Sequence, residues 1–154
     1  MISKVIFKKI TFCNINSNKF KKYILKNGLF VFPAGPALAN IENSKLYHSS
    51  LQKADFVFFD SGFFVLLLRI FKNINVLKFS GYKFLRLFFE YLKKNNKKSI
   101  FLIDPNINFS RSNKLYLKNL GIKKINNYLA PKYNTKNLTD KKLLKLIKKK
   151  KPNF

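Results

Sequence analysis

Apolar residues recur along this chain as short runs set between longer, helically spaced stretches. Val5 to Phe12 reads as β-like. Ser17 to Lys26 reads as a helix closed by Asn27-Gly28, a pair suited to a left-handed C-cap. Leu29 to Phe32 is a short apolar strand stopped by Pro33-Ala34-Gly35-Pro36, and Ala37 to Lys53 follows as a helix. Phe56 to Phe59 is apolar at every position, the pattern of a strand covered on both faces in a parallel sheet. Phe63 to Phe71 is an apolar helix, Val76 to Phe79 a strand, Tyr82 to Lys94 a helix and Ile100 to Ile103 a second wholly apolar strand. Ser110 to Asn119 is helical with Gly121 just beyond it, Lys124 to Tyr128 a strand, and Thr139-Asp140 starts a last helix reaching about Lys149.

Strands that alternate with helices of this length predict an α/β fold with a doubly wound, mostly parallel, Rossmann-like sheet. Neither repeats nor a linker interrupt the pattern, so residues 1–154 read as a single domain, with Phe56–Phe59 and Ile100–Ile103 among its central strands. Phe84, Leu85, Phe88, Phe89 and Leu92 share one helical face and predict a core stripe rather than a platform for stacking bases.

Composition changes the picture at one point. The net charge is +26, from 32 Lys plus Arg against 6 Asp plus Glu, which taken alone points to a polyanion. Only Arg69, Arg86 and Arg111 are arginine, however, and Lys, Asn, Ile and Phe, all with A/T-rich codons, run high together. A biased genome produces that pattern without selection for nucleic acid, whose readers favour the bidentate fork of arginine. The expected polyanion is an anionic membrane surface, with no specific nucleic acid. The single cysteine, Cys13, excludes a disulfide within the chain and reads as a small hydrophobe in a reducing compartment. The longest apolar stretch, Phe56 to Phe71, is too short for a span and carries Asp60 and Arg69. A cytoplasmic protein, peripheral at the inner face of the membrane, is the expectation.

Acidic residues are few enough to sort singly. Glu42 and Glu90 lie within helices, Glu90 four places after Arg86 as a surface pair; Asp140 caps a helix and Asp55 opens a strand. Asp60 and Asp104 remain, each directly after an apolar strand, where open α/β sheets bind ligands. They are the candidates for a general base or a ligand contact, against the alternative of helix capping for Asp60 and of a turn for Asp104, in Asp104-Pro105-Asn106. The lone histidine, His48, sits among polar neighbours and reads as a surface residue. Neither a glycine-rich phosphate loop nor a CxxC pair is present.

Five segments in register resemble a known family. Leu51-Gln52-Lys53-Ala54-Asp55-Phe56-Val57-Phe58-Phe59-Asp60-Ser61-Gly62 resembles the "al..aDlvlpDG" block of the WecG/TagA/CpsF glycosyltransferases. Val65 to Arg69 is similar to its "gvv...r" helix, Lys78-Phe79-Ser80-Gly81 to "eRv.G", and Ile100 to Asp104 to "vfllG". Asp140-Lys141-Lys142-Leu143-Leu144 through Lys151-Pro152 is similar to "D..ll..i...kPd". The order holds over roughly Leu29 to Phe154. The family departs from this chain at Phe32-Pro33-Ala34-Gly35, where "TpN" is usual, at Lys83, where an acid is usual, and at Asp104, where glycine is common. Its "G.P.QE" motif and membrane-binding appendage would follow Phe154, so the resemblance implies a piece covering the first two-thirds of the pattern. Such a piece would transfer sugar poorly by itself.

The resemblance implies an inverting, metal-free and cofactor-free transfer of an N-acetylhexosamine-type sugar from a UDP-sugar to a polyprenyl-diphosphate-linked acceptor in cell-surface polysaccharide synthesis. Asp60 would be the general base and Lys78 would face the diphosphate. Pro33, Ala34, Gly35, Ser61, Gly62, Ser80, Gly81 and Asp104 would contribute to substrate binding. Asp60 would lie in a concave pocket at the carboxyl edge of the sheet, with Pro33–Pro36 and Ser80–Gly81 on its rim. Homo-oligomers are allowed. A non-enzymatic basic module on anionic membrane or nucleic acid, or an inactive fragment, is the alternative.

Overall fold

The computed structural model describes residues 3–24, 26, 28–95, 98–133 and 139–154, so the Asn27 half of the expected helix cap lies outside the described residues. The protein is mixed α/β, and its strand pairings are parallel except for one hairpin. It forms two compact units, Met1–Phe88 and Phe89–Phe154.

The first unit opens with β1 (Ser3–Phe7) and β2 (Ile10–Asn14), an antiparallel hairpin where the apolar pattern suggested one run. The reversal falls on Lys8-Lys9, both with positive φ (48° and 60°), as two-residue hairpin turns require. The Lys8 carbonyl is held by His48 Nε2 at 2.7 Å and the Lys9 carbonyl by Gln52 Nε2 at 3.3 Å, which ties the turn to a helix some forty residues on. His48 is therefore a half-buried structural residue rather than a loose surface one. After α1 (Ser17–Phe20), β3 (Phe30–Val31) leads into α2 (Gly35–Ala39), a 3-10 turn at Ile41–Asn43 and α3 (Lys45–Lys53). The single helix expected from Ala37 to Lys53 breaks at Asn40 and Ser44, two residues whose side chains compete for the backbone and favour helix ends. β4 (Phe56–Val57), α4 (Gly62–Lys72) and α5 (Gly81–Lys94) follow.

The sheet runs β1-β2-β4-β3, with β4 parallel to both its neighbours. Val57, Phe58 and Phe59 are each at most 1% exposed, as an apolar central strand demands. Val57 and Phe59 pack with Phe12, Leu38 of α2, Leu51 of α3 and Leu68 of α4, and the Phe12 and Phe59 rings stack at 3.9 Å. Phe58 points the other way, into a ring cluster with Phe20 of α1, Phe32 and Phe79. Phe84 of α5 closes over Phe30 and Phe32, as the aromatic stripe predicts, although Leu85 of that stripe is exposed. Val76 to Phe79 forms no ladder; the Phe79 N–H donates to the Phe59 carbonyl at 2.9 Å.

In the second unit β5 (Ser99–Asp104) pairs in parallel with β6 (Lys124–Leu129), connected through α6 (Ile107–Asn119). The backbone of Asn153 and Phe154 bonds to Ser99 and Phe101 of β5. Asp140 caps α7 (Lys141–Lys150) as expected, accepting from the Leu143 N–H at 2.8 Å. Two expectations are corrected. The apolar runs at Phe56–Phe59 and Ile100–Ile103 belong to different sheets, and Ile103 is half exposed, so β5 is not covered along its whole length. A short apolar run states that a strand will form but not which strand will pair with it.

Candidate functional site

Three connections converge at the carboxyl edge of β3 and β4. Pro33–Pro36 follows β3, Asp60–Gly62 follows β4, and Ser80–Gly81 ends the segment from Val76. Ser61 sits in an extended conformation and caps α4, accepting from the Phe64 N–H at 3.2 Å. Ser80 does the same for α5 through the Lys83 N–H at 3.3 Å. Asp60 is half-buried between these two helix starts. Its Oδ1 accepts from the Gly81 N–H at 2.9 Å, and among the described residues its Oδ2 makes no hydrogen bond. Asp60 is thus a helix-end ligand, but of α5, twenty-one residues on, and not of the helix that follows it.

Two glycines permit the close approach. A Cβ on Gly35 would stand 2.8 Å from Ser61 Oγ, so the Pro33–Pro36 loop can reach Ser61 only without a side chain there. A Cβ on Gly62 would stand 3.3 Å from Lys78 Cδ and 3.5 Å from its Nζ, which places the Lys78 ammonium against the first turn of α4. Gly81 in turn lies against Phe32. Pro33 and Gly35 are buried, while Ala34, the residue before α2, is exposed. The starts of α4 and α5, eleven and fourteen residues long, and the Lys78 ammonium concentrate positive potential around one carboxylate, an arrangement suited to a phosphate-bearing ligand.

The cavity at this edge holds about 190 Å³ and is lined by Gly35, Pro36, Ala39, Ser61, Phe63, Phe64 and Leu67. Ser61 and Gly35 belong to both the loops and this apolar recess, whose lining does not include Asp60. Phe63, Phe64 and Leu67 were not singled out by sequence; their signal is the i, i+4 pair Phe63–Leu67 directly after Ser61-Gly62.

Asp104 belongs to the second unit and is described there. It is 3% exposed, its Oδ1 accepts from Asn113 Nδ2 at 2.7 Å, and its Oδ2 has no partner among the described residues. Beside it on α6 the buried Ser110 Oγ accepts from Asn127 Nδ2 at 2.7 Å. At 3% exposure Asp104 presents little surface in this structure.

The remaining acids have other work. Asp55 accepts the Leu29 N–H at 2.8 Å, and Glu42 pairs with Lys8 at 3.4 Å. Among the described residues Glu90 forms no ion pair with Arg86. Burial pushes the Cys13 thiol up, so it stays protonated and inert. Asp140 gathers the hydroxyls of Tyr133 at 2.8 Å and Tyr128 at 3.0 Å. The Leu143 N–H, with these hydroxyls, holds its carboxyl below the usual range. A cavity of about 350 Å³ adjoins it, lined by Tyr133, Thr139, Asp140, Leu143 and Leu144. Among the described residues no three His, Cys, Asp or Glu side chains gather into a metal-holding group, and no helix is long and apolar enough to cross a membrane. Set against known proteins, the chain matches no family model, no curated protein and no solved structure.

Proposed function

We propose that the chain is the donor- and base-bearing part of an inverting sugar transferase. It would act on a UDP-N-acetylhexosamine and a polyprenyl-diphosphate-linked acceptor at the cytoplasmic face of the membrane. The observation that carries this reading is the convergence of Asp60, Lys78 and the starts of α4 and α5 at one sheet edge. In the same reading the four-stranded sheet, with helices on both faces, is the core of a doubly wound, Rossmann-like fold.

The chemistry asks little else of the protein. The acceptor hydroxyl gives its proton to Asp60 Oδ2, while Oδ1, fixed by the Gly81 N–H, keeps the carboxylate oriented. The acceptor oxygen forms a bond to the anomeric carbon as the bond from that carbon to the diphosphate breaks on the opposite face. The negative charge released on UDP is met by Lys78 and the two helix starts, which need no reorganisation at that moment. Lysine supplies that charge without the two-pronged geometry of an arginine.

The experiment measures UDP binding first and UDP release with the lipid-linked acceptor second. Asp60→Asn should leave UDP affinity nearly unchanged and lower turnover by about 10²–10⁴. Lys78→Ala should weaken UDP binding by roughly tenfold, the loss of one charge-assisted contact. A chain that does not bind UDP, or an Asp60→Asn variant as active as its parent, overturns the reading.

A further inference from the structure

α4 carries more apolar surface than the sheet can cover. Leu68 is buried and Phe64, Val65 and Leu67 are half-buried, which is the side that packs inward. Phe63, Leu66 and Ile70, at i, i+3 and i+7, form a stripe on the outward side and are 70%, 50% and 63% exposed. Phe71 on the last turn is 74% exposed. Exposed apolar residues are ordinary when scattered, but four on three turns of one helix mark a contact surface.

Charge decides what the contact is. Arg69 flanks the stripe next to Leu66, Lys72 closes the helix, and the Lys78 ammonium lies at its first turn. Apolar residues rimmed by cations are the pattern of a helix lying in the plane of a membrane interface. A second copy of the chain would bring another +26 against the same rim. Nucleic acid would satisfy the cations but offers little hydrocarbon to take up Leu66 and Ile70.

We infer that α4 is the face by which this protein sits on an anionic bilayer, with Phe63, Leu66, Ile70 and Phe71 entering the acyl boundary and Arg69 and Lys72 at the headgroups. The inference rests on α4 alone, not on sugar transfer. It adds that the cavity sharing Phe63, and the Asp60 loops next to it, open near the lipid, where a lipid-linked substrate is found.

The chain contains no tryptophan, so a single one reports its own surroundings. Phe63→Trp should shift its emission to the blue on phosphatidylcholine vesicles containing phosphatidylglycerol, and not on phosphatidylcholine alone. Leu46→Trp, on the exposed side of α3, should not shift. Co-sedimentation with the same vesicles should fall about tenfold or more for Phe63→Ser with Ile70→Ser, because each removes a large inserted side chain. Far-UV circular dichroism checks that both remain folded. Sedimentation unchanged in the double variant overturns the inference, as does vesicle binding without a blue shift at position 63. A dimer that the double variant abolishes would overturn it in favour of self-association. Duplex DNA binding that depends on Phe63 and Ile70 would overturn it in favour of nucleic acid. None of these measurements involves a sugar donor, so they stand or fall separately from the transfer reaction.

Discussion

Asp60 and Asp104 occupy matching places in two units and end up in opposite situations. Each stands at the end of an apolar run whose strand pairs in parallel within its own sheet. Asp104 ends its strand, α6 begins three residues later, and its carboxylate, 3% exposed, accepts from Asn113. Asp60 lies three residues past its strand, with Ser61-Gly62 after it. Ser61 takes over the capping of α4 and frees Asp60 to reach across to the backbone of Gly81. Asn106 caps α6 as Ser61 caps α4, so a capping neighbour does not separate the two; Asp60 differs in its reach to the Gly81 N–H and in the glycines, Gly35 and Gly62, that let two other segments come close.

The comparison breaks most severely if the core under Asp60 is removed. Phe58 is fully buried among Phe20, Phe32 and Phe79, and Phe58→Ala should cost about 3–5 kcal/mol by denaturant unfolding. UDP binding should be lost with it, since Phe32 and Phe79 lead directly into two of the three loops. A cost below about 1 kcal/mol would mean that the site is not held by this cluster.

A sharper version sets the two aspartates against each other. Asp104→Ala removes the carboxylate to which Asn113 Nδ2 donates and empties a position only 3% exposed, and should cost about 1–3 kcal/mol of stability. Asp60→Ala removes one bond to a helix start and should cost less, about 0.5–2 kcal/mol. For UDP turnover the order should reverse, with Asp60→Ala nearly inactive and Asp104→Ala close to its parent at a temperature where both are folded. Equal effects on turnover would erase the distinction drawn above.

Much of this was legible from residue order alone. Apolar runs and helical stripes place most elements, and the scarcity of acids narrows the candidate carboxylates to Asp60 and Asp104. What stayed hidden depends on partners far along the chain. The Lys8-Lys9 turn has no glycine or asparagine to announce it and relies on His48 and Gln52. The Gly81 N–H that orients Asp60 belongs to a backbone group common to every residue. The division into two sheets is a matter of pairing, on which an apolar tetrapeptide is silent. The cavity next to Asp60 follows from how α2 and α4 meet, which neither helix encodes by itself.

The smallest expected effect comes from Asp140, the cap of α7 in the second unit. Its carboxylate serves the Leu143 N–H three residues on and two tyrosine hydroxyls, and the Leu143 bond is the main reason its carboxyl sits below the usual range. A carboxyl lowered on folding contributes stability above its ordinary value near 4, and that contribution fades as the pH falls through the lower, folded value. Tyr133, chiefly through its bond to Asp140, and Tyr128, chiefly through burial, are both raised. A raised phenol contributes below its ordinary value near 10 and loses the contribution as the pH rises through the higher one. The start of α7 should thus be steady between roughly pH 4 and pH 10 and loosen at both ends. An NMR titration of the Asp140 carboxyl carbon reads this directly. Tyr133→Phe should move that titration upward toward the ordinary carboxylate value, while Asp60→Asn should leave it where it is. A titration that ignores Tyr133 would show that the hydroxyl does not hold the carboxylate.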